Sequence, residues 1–146
     1  MKGYLLDTNM LIALLWPSHA RHEVAVSWFA SHRHKGWATC PLVEAGFVRI
    51  VSNPAFSRDA VTPREAVSLL SANTVAKDHA FWPDERPYAD NVAFCEARLV
   101  GHQQVTDAYL LGLALHRGGT LATLDQRIVA LVEPKSMTRK ALEIVA

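Results

Sequence analysis

Acidic residues follow two apolar runs of the chain. Asp7 comes directly after Tyr4–Leu6, and Asp125 comes directly after Thr120–Leu124. Both runs are short and bounded, as buried strands are. Ligands of an open parallel α/β sheet bind outside the carboxyl ends of its strands, so an acid at such an end is placed for chemistry. The alternative is that Asp7 only caps the next helix, because aspartate is a favoured N-cap.

Two further acids, Glu44 and Asp107, lie near the starts of apolar helix faces. Apolar residues follow each acid at positions i+3, i+4 and i+7, namely Phe47, Val48 and Val51 after Glu44, and Leu110, Leu111 and Ala114 after Asp107. Residues at these offsets share a helix face. A carboxylate on an apolar face is costly unless a cation, a donor or an ion pair meets it. For Glu44 the alternative is a place at the edge of the face, where it reaches water or an arginine.

These four acids predict a metal-assisted hydrolytic site if they meet at one edge of a parallel sheet. Their mutual repulsion would then be relieved by protons or cations. Carboxylate oxygens suit Mg²⁺ or Mn²⁺ rather than zinc or copper. Such an ion polarises a phosphoryl oxygen and supplies hydroxide for in-line attack. The candidate catalytic and metal-binding residues are Asp7, Glu44, Asp107 and Asp125.

The elements that would position these acids alternate between strand-like and helix-like patterns. Pro41 is typical of a first helical position, and Thr62–Glu65 is a capping box. The predicted strands are 4–6, 37–40, 79–82, 120–124 and an edge strand within 141–146. The predicted helices are one after Asp7 and others at about 19–32, 42–52, 62–70, 89–100, 103–117 and 128–131. This alternation is typical of an α/β protein.

Length and composition predict one globular domain, residues 1–146. The two cysteines, Cys40 and Cys95, lie far apart and outside any CxxC spacing, which indicates a reducing, cytoplasmic setting. No apolar run approaches the roughly 18 residues of a membrane span. The net charge is +1, yet a cluster of four acids would leave 15 basic against 10 acidic residues elsewhere. That balance suits a polyanion held by metal ions.

Four motifs of the chain resemble a known family in order and spacing. They are Leu5–Asn9, Pro41–Glu44, Val105–Leu110 and Leu121–Asp125. They look like the successive motifs of PIN-domain ribonucleases, and most of all like those of VapC toxins from bacterial toxin–antitoxin pairs. The resemblance implies a three-layer α/β/α sandwich with a central, mainly parallel sheet. It also implies a Mg²⁺- or Mn²⁺-dependent endoribonuclease that hydrolyses RNA.

The resemblance assigns roles to seven side chains. Asp7 and Asp107 would be the principal metal ligands, and Glu44 and Asp125 would complete the acidic pocket directly or through water. The neighbouring polar residues Thr8, Asn9 and Thr106 match positions that orient the acids or bound water. Hydrogen bonds of that kind commonly fix metal ligands.

The resemblance also implies protein partners, namely a second copy in a homodimer and a cognate VapB-like antitoxin. Such an antitoxin lays a segment along a hydrophobic groove and can place a basic side chain in the acidic pocket. Candidates to line the groove are Leu14, Leu15, Trp16 and Trp28. Ordinary core packing is the alternative for these residues.

Other interpretations of the sequence stay open. In the loop near 82–88, Trp82, Arg86 and Tyr88 either stack on RNA bases or anchor the loop to the core. The histidine pairs 19/22 and 32/34 lack a third metal ligand. A haloacid-dehalogenase-type phosphatase would need a second Asp where this chain has Asn9. A PIN-fold protein that binds RNA or an antitoxin without cleaving is the remaining alternative.

Overall fold

The computed structural model describes residues 3–146, in which five parallel strands form one central sheet. The strands are β1 Tyr4–Leu6, β2 Trp37–Thr39, β3 His79–Phe81, β4 Thr120–Thr123 and β5 Leu142–Ile144. Their order is β3-β2-β1-β4-β5, so β5 is an edge strand, as predicted. The chain builds outward from β1 to β3 and then returns to place β4 on the other side of β1. The topological switch point, where ligand sites form in such sheets, therefore lies between β1 and β4.

Within residues 3–146, seven α-helices connect and cover the strands. They are α1 Thr8–Leu15, α2 His22–His32, α3 Pro41–Val51, α4 Pro63–Thr74, α5 Tyr88–Val92, α6 Val105–Arg117 and α7 Met137–Lys140. In one layer α1 packs against α2 and α3, and α3 packs against α4. In the other layer α5 packs against α6, which contacts β1 and β4. The predicted three-layer α/β/α architecture is confirmed.

The core lies between the layers and is filled by aliphatic and aromatic side chains. The largest fully buried ones include Leu5, Leu6, Leu11, Phe47, Leu110, Leu111 and Leu121. The central strand β1 is buried along its whole length, which explains its continuous apolar sequence. None of the helices within residues 3–146 combines the length and the apolar character of a membrane span.

Several predicted helix bounds differ from the structure. Residues 89–100 form the short α5 followed by a 3₁₀ turn at Ala93–Arg98, and the predicted last helix is a 3₁₀ turn at Gln126–Leu131. The i, i+3 spacing of buried Val92 and Cys95 suits the 3₁₀ repeat. The helix predicted from 19 begins only at His22, because His19 Nδ1 accepts a hydrogen bond from the Arg21 amide at 2.9 Å and forms a local turn.

Two helix starts also differ from the sequence prediction. The helix predicted from 103 begins as a 3₁₀ turn at His102–Gln104, and α6 follows it. The four-residue helix α7 was not predicted. Its N-cap Ser136 accepts a hydrogen bond from the Arg139 amide at 3.0 Å, while the neighbouring Lys135 has a left-handed backbone with φ 61. The helix α7 is thus a single turn that begins at the Ser136 cap, directly after a segment whose sequence is typical of a loop.

The four candidate groove residues divide into two pairs. Trp16 is buried against Phe56, and Trp28 stacks on His32, so both tryptophans belong to aromatic packing within the chain. Leu14 and Leu15 line a cavity of about 240 Å³. This pair therefore has free space beside it.

Candidate active site

Asp7 lies between the end of β1 and the start of α1, at the switch point of the sheet. Its Oδ1 accepts a hydrogen bond from the Met10 amide at 2.7 Å, which makes it the N-cap of α1. Its Oδ2 accepts a hydrogen bond from the Thr123 hydroxyl. Only 4% of Asp7 is exposed. Asp7 therefore caps α1 and also lies at the candidate site, so the two interpretations of this residue are compatible.

Burial raises the pKa of Asp7 to about 6. The hydrogen bonds from Thr123 and Met10 stabilise the charged form and oppose this rise, whereas the negative charges of Asp107 and Asp125 add to it. Asp7 is thus a buried carboxyl group whose pKa is raised by two other carboxylates. A cation beside Asp7 would offset the cost of burying its charge and would reduce its repulsion with the other two carboxylates.

Asp107 lies in the first turn of α6 and is partly buried. Burial and, to a smaller extent, the charge of Asp125 raise its pKa to about 6, although the charge of Arg127 opposes the rise. No hydrogen bond within residues 3–146 contributes to its pKa. The Asp107 carboxylate therefore accepts no hydrogen bond from the described residues, which leaves its oxygens free to contact a cation or water.

Asp125 follows β4 and is paired with Arg127. Its Oδ2 lies 2.8 Å from Arg127 Nη2, and its Oδ1 lies 3.0 Å from Arg127 Nε. This hydrogen-bonded pair holds the pKa of Asp125 below its ordinary value. The Arg127 side chain is 80% exposed. Arg127 is therefore a solvent-exposed counter-charge at the mouth of the site, and sequence reasoning did not identify it.

The Thr123 hydroxyl joins the ends of β1 and β4. It donates to Asp7 Oδ2 and accepts from the Asp125 amide at 3.0 Å. Thr123 is fully buried at the last position of β4. A polar residue at the end of a buried strand, two residues before an acid, was the sequence signal that could have identified it.

Glu44 has a different set of partners from the three aspartates. Its Oε2 accepts a hydrogen bond from the Thr39 hydroxyl at 2.7 Å, and the same hydroxyl lies 2.7 Å from His79 Nε2. The charge of Glu44 contributes to the pKa values of His79 and Cys40, but not to those of Asp7 or Asp107. The donor expected for a carboxylate on an apolar helix face is thus Thr39. The structure couples three of the four predicted acids, and the participation of Glu44 stays a prediction.

The neighbouring polar residues occupy three different surroundings. Thr8 is partly buried beside Gly46 of α3, where a Cβ added to the glycine would lie 3.0 Å from the Thr8 hydroxyl oxygen. Asn9 is exposed, and Thr106, which precedes Asp107 in the sequence, is exposed and lines a cavity with Tyr88 and Tyr109. Within residues 3–146 the hydroxyls that contact the acids are those of Thr39 and Thr123. The orienting role of Thr8, Asn9 and Thr106 stays a prediction.

The donor set suits a hard divalent ion. Asp7, Asp107 and Asp125 offer only carboxylate oxygens, which Mg²⁺ and Mn²⁺ prefer. As the side chains stand, no three His, Cys, Asp or Glu groups within residues 3–146 are arranged to hold an ion. Asp125 is turned toward Arg127 instead. An ion that binds Asp125 would therefore compete with Arg127 for its carboxylate.

Comparison with known proteins identifies the family of this chain. The family model described as PIN domain matches residues 4–133. The chain is 44% identical to Ribonuclease VapC39 of Mycobacterium tuberculosis over 121 residues, covering 83% of this chain and 87% of that protein. It is 40% identical to Ribonuclease VapC38 of the same species, covering 92% of this chain and 93% of that protein. The chain therefore belongs to the PIN-domain family. Within that family it is a VapC-like member.

Solved structures of PIN-fold proteins share the architecture. The crystal structure of Mycobacterium tuberculosis VapC20, described as a sarcin-ricin loop cleaving toxin, matches with a TM-score of 0.62 at 20% identity and covers 90% of this chain and 100% of that one. The structure of FitAB bound to a DNA fragment matches with a TM-score of 0.61 at 19% identity, covering 88% and 90%. At these identities the likeness concerns the fold alone.

Proposed function

We propose that this protein is a Mg²⁺- or Mn²⁺-dependent endoribonuclease and the toxin of a toxin–antitoxin pair. The observation that carries the proposal is the meeting of Asp7, Asp107 and Asp125 at the switch point of the sheet, where Thr123 joins Asp7 to Asp125 and one cavity is lined by both Asp107 and Asp125. The curated relatives named ribonucleases over most of the chain support it. In this proposal Glu44 completes the acidic pocket directly or through water.

The side chains of this chain have distinct roles in the proposed reaction. Asp7, Asp107 and Asp125 would hold the ion, which supplies Lewis acidity and a water of lowered pKa when bound. Thr123 fixes the orientation of the Asp7 carboxylate by its hydrogen bond. The start of α1 beside Asp7 favours the negative charge of the phosphodiester. Arg127 is within the same site, and its charge balances that of Asp125.

The proposed partners follow from the relatives. RNA is the proposed substrate, a VapB-like antitoxin the proposed inhibitor, and a second copy the proposed dimer partner, all in the cytoplasm. An antitoxin arginine in the acidic pocket would repeat the contact that Arg127 makes with Asp125 within this chain.

The proposal is tested by incubating purified, antitoxin-free protein with total cellular RNA in Mg²⁺, in Mn²⁺ and in chelator. We expect discrete fragments with either metal and none with chelator. Full-length RNA under every condition, with a cooperative melting transition showing that the protein is folded, would contradict the nuclease and favour a PIN-fold protein that only binds.

Divalent metal is expected to raise the melting temperature of the protein. An ion that binds only the folded state at ten times its dissociation constant adds about 1.4 kcal/mol, or about 3–6 °C for a chain of this size. The measurement is a thermal melt with Mg²⁺, Mn²⁺ or chelator. Asp59→Asn, which alters an exposed acid of the 52–62 connection, should keep the increase, whereas Asp7→Asn should lose most of it. An unchanged melting temperature in wild type would contradict a metal site.

Replacing Arg127 is expected to strengthen metal binding. In Arg127→Gln the ion no longer competes with the guanidinium for Asp125, and the exposed ion pair that is lost is weak in solvent. The Mg²⁺ concentration for half of the thermal shift should therefore fall modestly rather than rise. Arg98→Gln, which breaks a surface ion pair with Glu133, is the matched control. Weaker metal binding in Arg127→Gln would show that Arg127 does not compete for the site.

A further inference from the structure

A cavity of about 320 Å³ opens beside the candidate active site at the same edge of the sheet. Its walls come from the segments after β2 and β3 and from the start of α6, and include Leu42, Asp84, Arg86, Tyr88, Thr106 and Tyr109. Thr106 directly precedes Asp107, and Leu42 lies two residues before Glu44. An RNA strand that crosses this edge with its phosphate at the aspartates would therefore bring a neighbouring nucleotide to the cavity.

Tyr88 presents an exposed aromatic ring in this cavity. The residue is 40% exposed, and its ring stacks on that of Tyr109 with an angle of 9° and a centroid distance of 6.1 Å. Its hydroxyl donates to the Val105 carbonyl at 2.7 Å, so the ring is held in place before any ligand binds. A fixed, exposed ring is the platform on which proteins stack single-stranded bases. Trp82, the other aromatic residue of this loop, is 6% exposed and packs in the core instead.

Two polar groups in the cavity keep unused hydrogen-bonding capacity. Asp84 Oδ1 accepts from the Tyr109 hydroxyl, and its other oxygen has no donor in the described part of the chain. Arg86 Nη2 donates to Asn91 Oδ1 at 2.6 Å, and its Nη1 makes no hydrogen bond among residues 3–146. A ligand acceptor that reaches Nη1 would add a charge-assisted hydrogen bond.

We propose that this cavity binds one base of the RNA substrate, beside the scissile phosphate, and that it prefers guanine. The proposal rests on the proposed function, since it assumes that RNA reaches the aspartates. Of the four RNA bases only guanine presents two adjacent N–H donors, N1–H and the 2-amino group, to a carboxylate such as Asp84. Its O6 and N7 are the acceptors that arginine recognises. The base ring stacks on Tyr88.

Binding without cleavage tests the pocket. The protein carries Asp107→Asn as background and is kept in chelator, and its affinity for labelled hexanucleotides is measured by fluorescence anisotropy. The probes are U6, (UG)3 and (UI)3, in which inosine lacks the 2-amino group of guanine. We expect (UG)3 to bind most tightly and (UI)3 about fivefold or more weakly, because one hydrogen bond to a charged group is lost.

Two substitutions assign the effect to the cavity. Tyr88→Leu should weaken binding of (UG)3 by between about five- and 150-fold, since it removes the stacking face. Asp84→Asn should bring (UG)3 and (UI)3 to similar affinities while leaving the acceptor for Tyr109 in place. Phe94→Leu replaces an exposed aromatic residue elsewhere and should bind as the background does. Thermal melts check that each variant is folded.

The proposal is overturned if folded Tyr88→Leu binds as tightly as the background, or if guanine and inosine bind equally. Its failure is distinguishable from failure of the nuclease. The anisotropy experiment requires neither metal nor catalysis, whereas the cleavage of total RNA requires both. If the protein binds RNA in a guanine-dependent way but never cleaves total RNA, the proposal of a guanine pocket is supported and the proposal of a nuclease is contradicted.

Discussion

Asp107→Asn is expected to abolish RNA cleavage, lowering the rate by more than about 100-fold. Residues that only support metal ligands typically cost 10- to 100-fold when replaced, and Asp107 is a proposed ligand itself. Its carboxylate has no hydrogen bond to lose and faces Asp125 and Arg127. The amide of asparagine keeps the shape of the side chain and removes its charge. The measurement is the rate of fragment formation from total RNA with Mg²⁺ or Mn²⁺.

The same substitution is expected to preserve or increase stability in chelator. The folded-state pKa of Asp107 is about 6, above its ordinary value of 3.8, so the folded protein binds this proton more tightly than the unfolded chain does. The contribution of Asp107 to the free energy of unfolding therefore decreases as pH rises from about 4 to 6, and above pH 6 the charge is destabilising. After allowance for solvent screening the gain in Asp107→Asn at pH 7 is about 1 kcal/mol, or about 2–4 °C.

Two comparisons make this result interpretable. Asp59→Asn removes an exposed acid outside the site and should cleave as wild type does. The difference in melting temperature between Asp107→Asn and wild type should shrink as the pH approaches 4, because Asp107 is then protonated in the folded protein and close to half protonated in the unfolded chain. Wild-type cleavage by Asp107→Asn would refute the site assignment, and a large loss of stability would show that Asp107 has a structural role instead.

Gly112→Ala is expected to destabilise the fold more than other single-methyl additions. A Cβ at Gly112 in α6 would lie 1.9 Å from the backbone oxygen of Asn91 in α5. Asn91 cannot easily withdraw, because its Nδ2 donates to the Tyr109 carbonyl at 2.6 Å and its Oδ1 accepts from Arg86. Overpacking commonly costs 1–3 kcal/mol, and contact with backbone places this site at about 3 kcal/mol or more. The melting temperature should fall by about 6–12 °C or more.

Gly101→Ala is the matched control for this prediction. A Cβ at Gly101 would meet no atom within 4 Å, and the backbone there has φ −137, which any residue adopts. Its melting temperature should stay within about 2 °C of wild type, as surface substitutions usually do. If Gly112→Ala melts at the wild-type temperature, α5 and α6 separate more easily than their contact indicates.

The sequence by itself predicted the strands, most of the helices and the placement of the aspartates. Periodicity identified all five strands and the edge position of β5, because side-chain alternation and turn residues are local properties. Asp7 and Asp125 were placed at strand ends and Asp107 at a helix start, and the structure brings the charges of these three together. The resemblance in motif order to PIN-domain ribonucleases was confirmed by the family match.

Only the tertiary structure decided which partner each polar group takes. The Thr123 hydroxyl reaches Asp7 across 116 positions of sequence, and no local pattern encodes such a pair. Glu44 shares an apolar face in sequence just as Asp107 does, yet Thr39 supplies its donor. The base-sized cavity likewise arises where the segments after β2 and β3 meet the start of α6. Local sequence determines backbone periodicity, whereas hydrogen bonds and cavities depend on how distant elements pack.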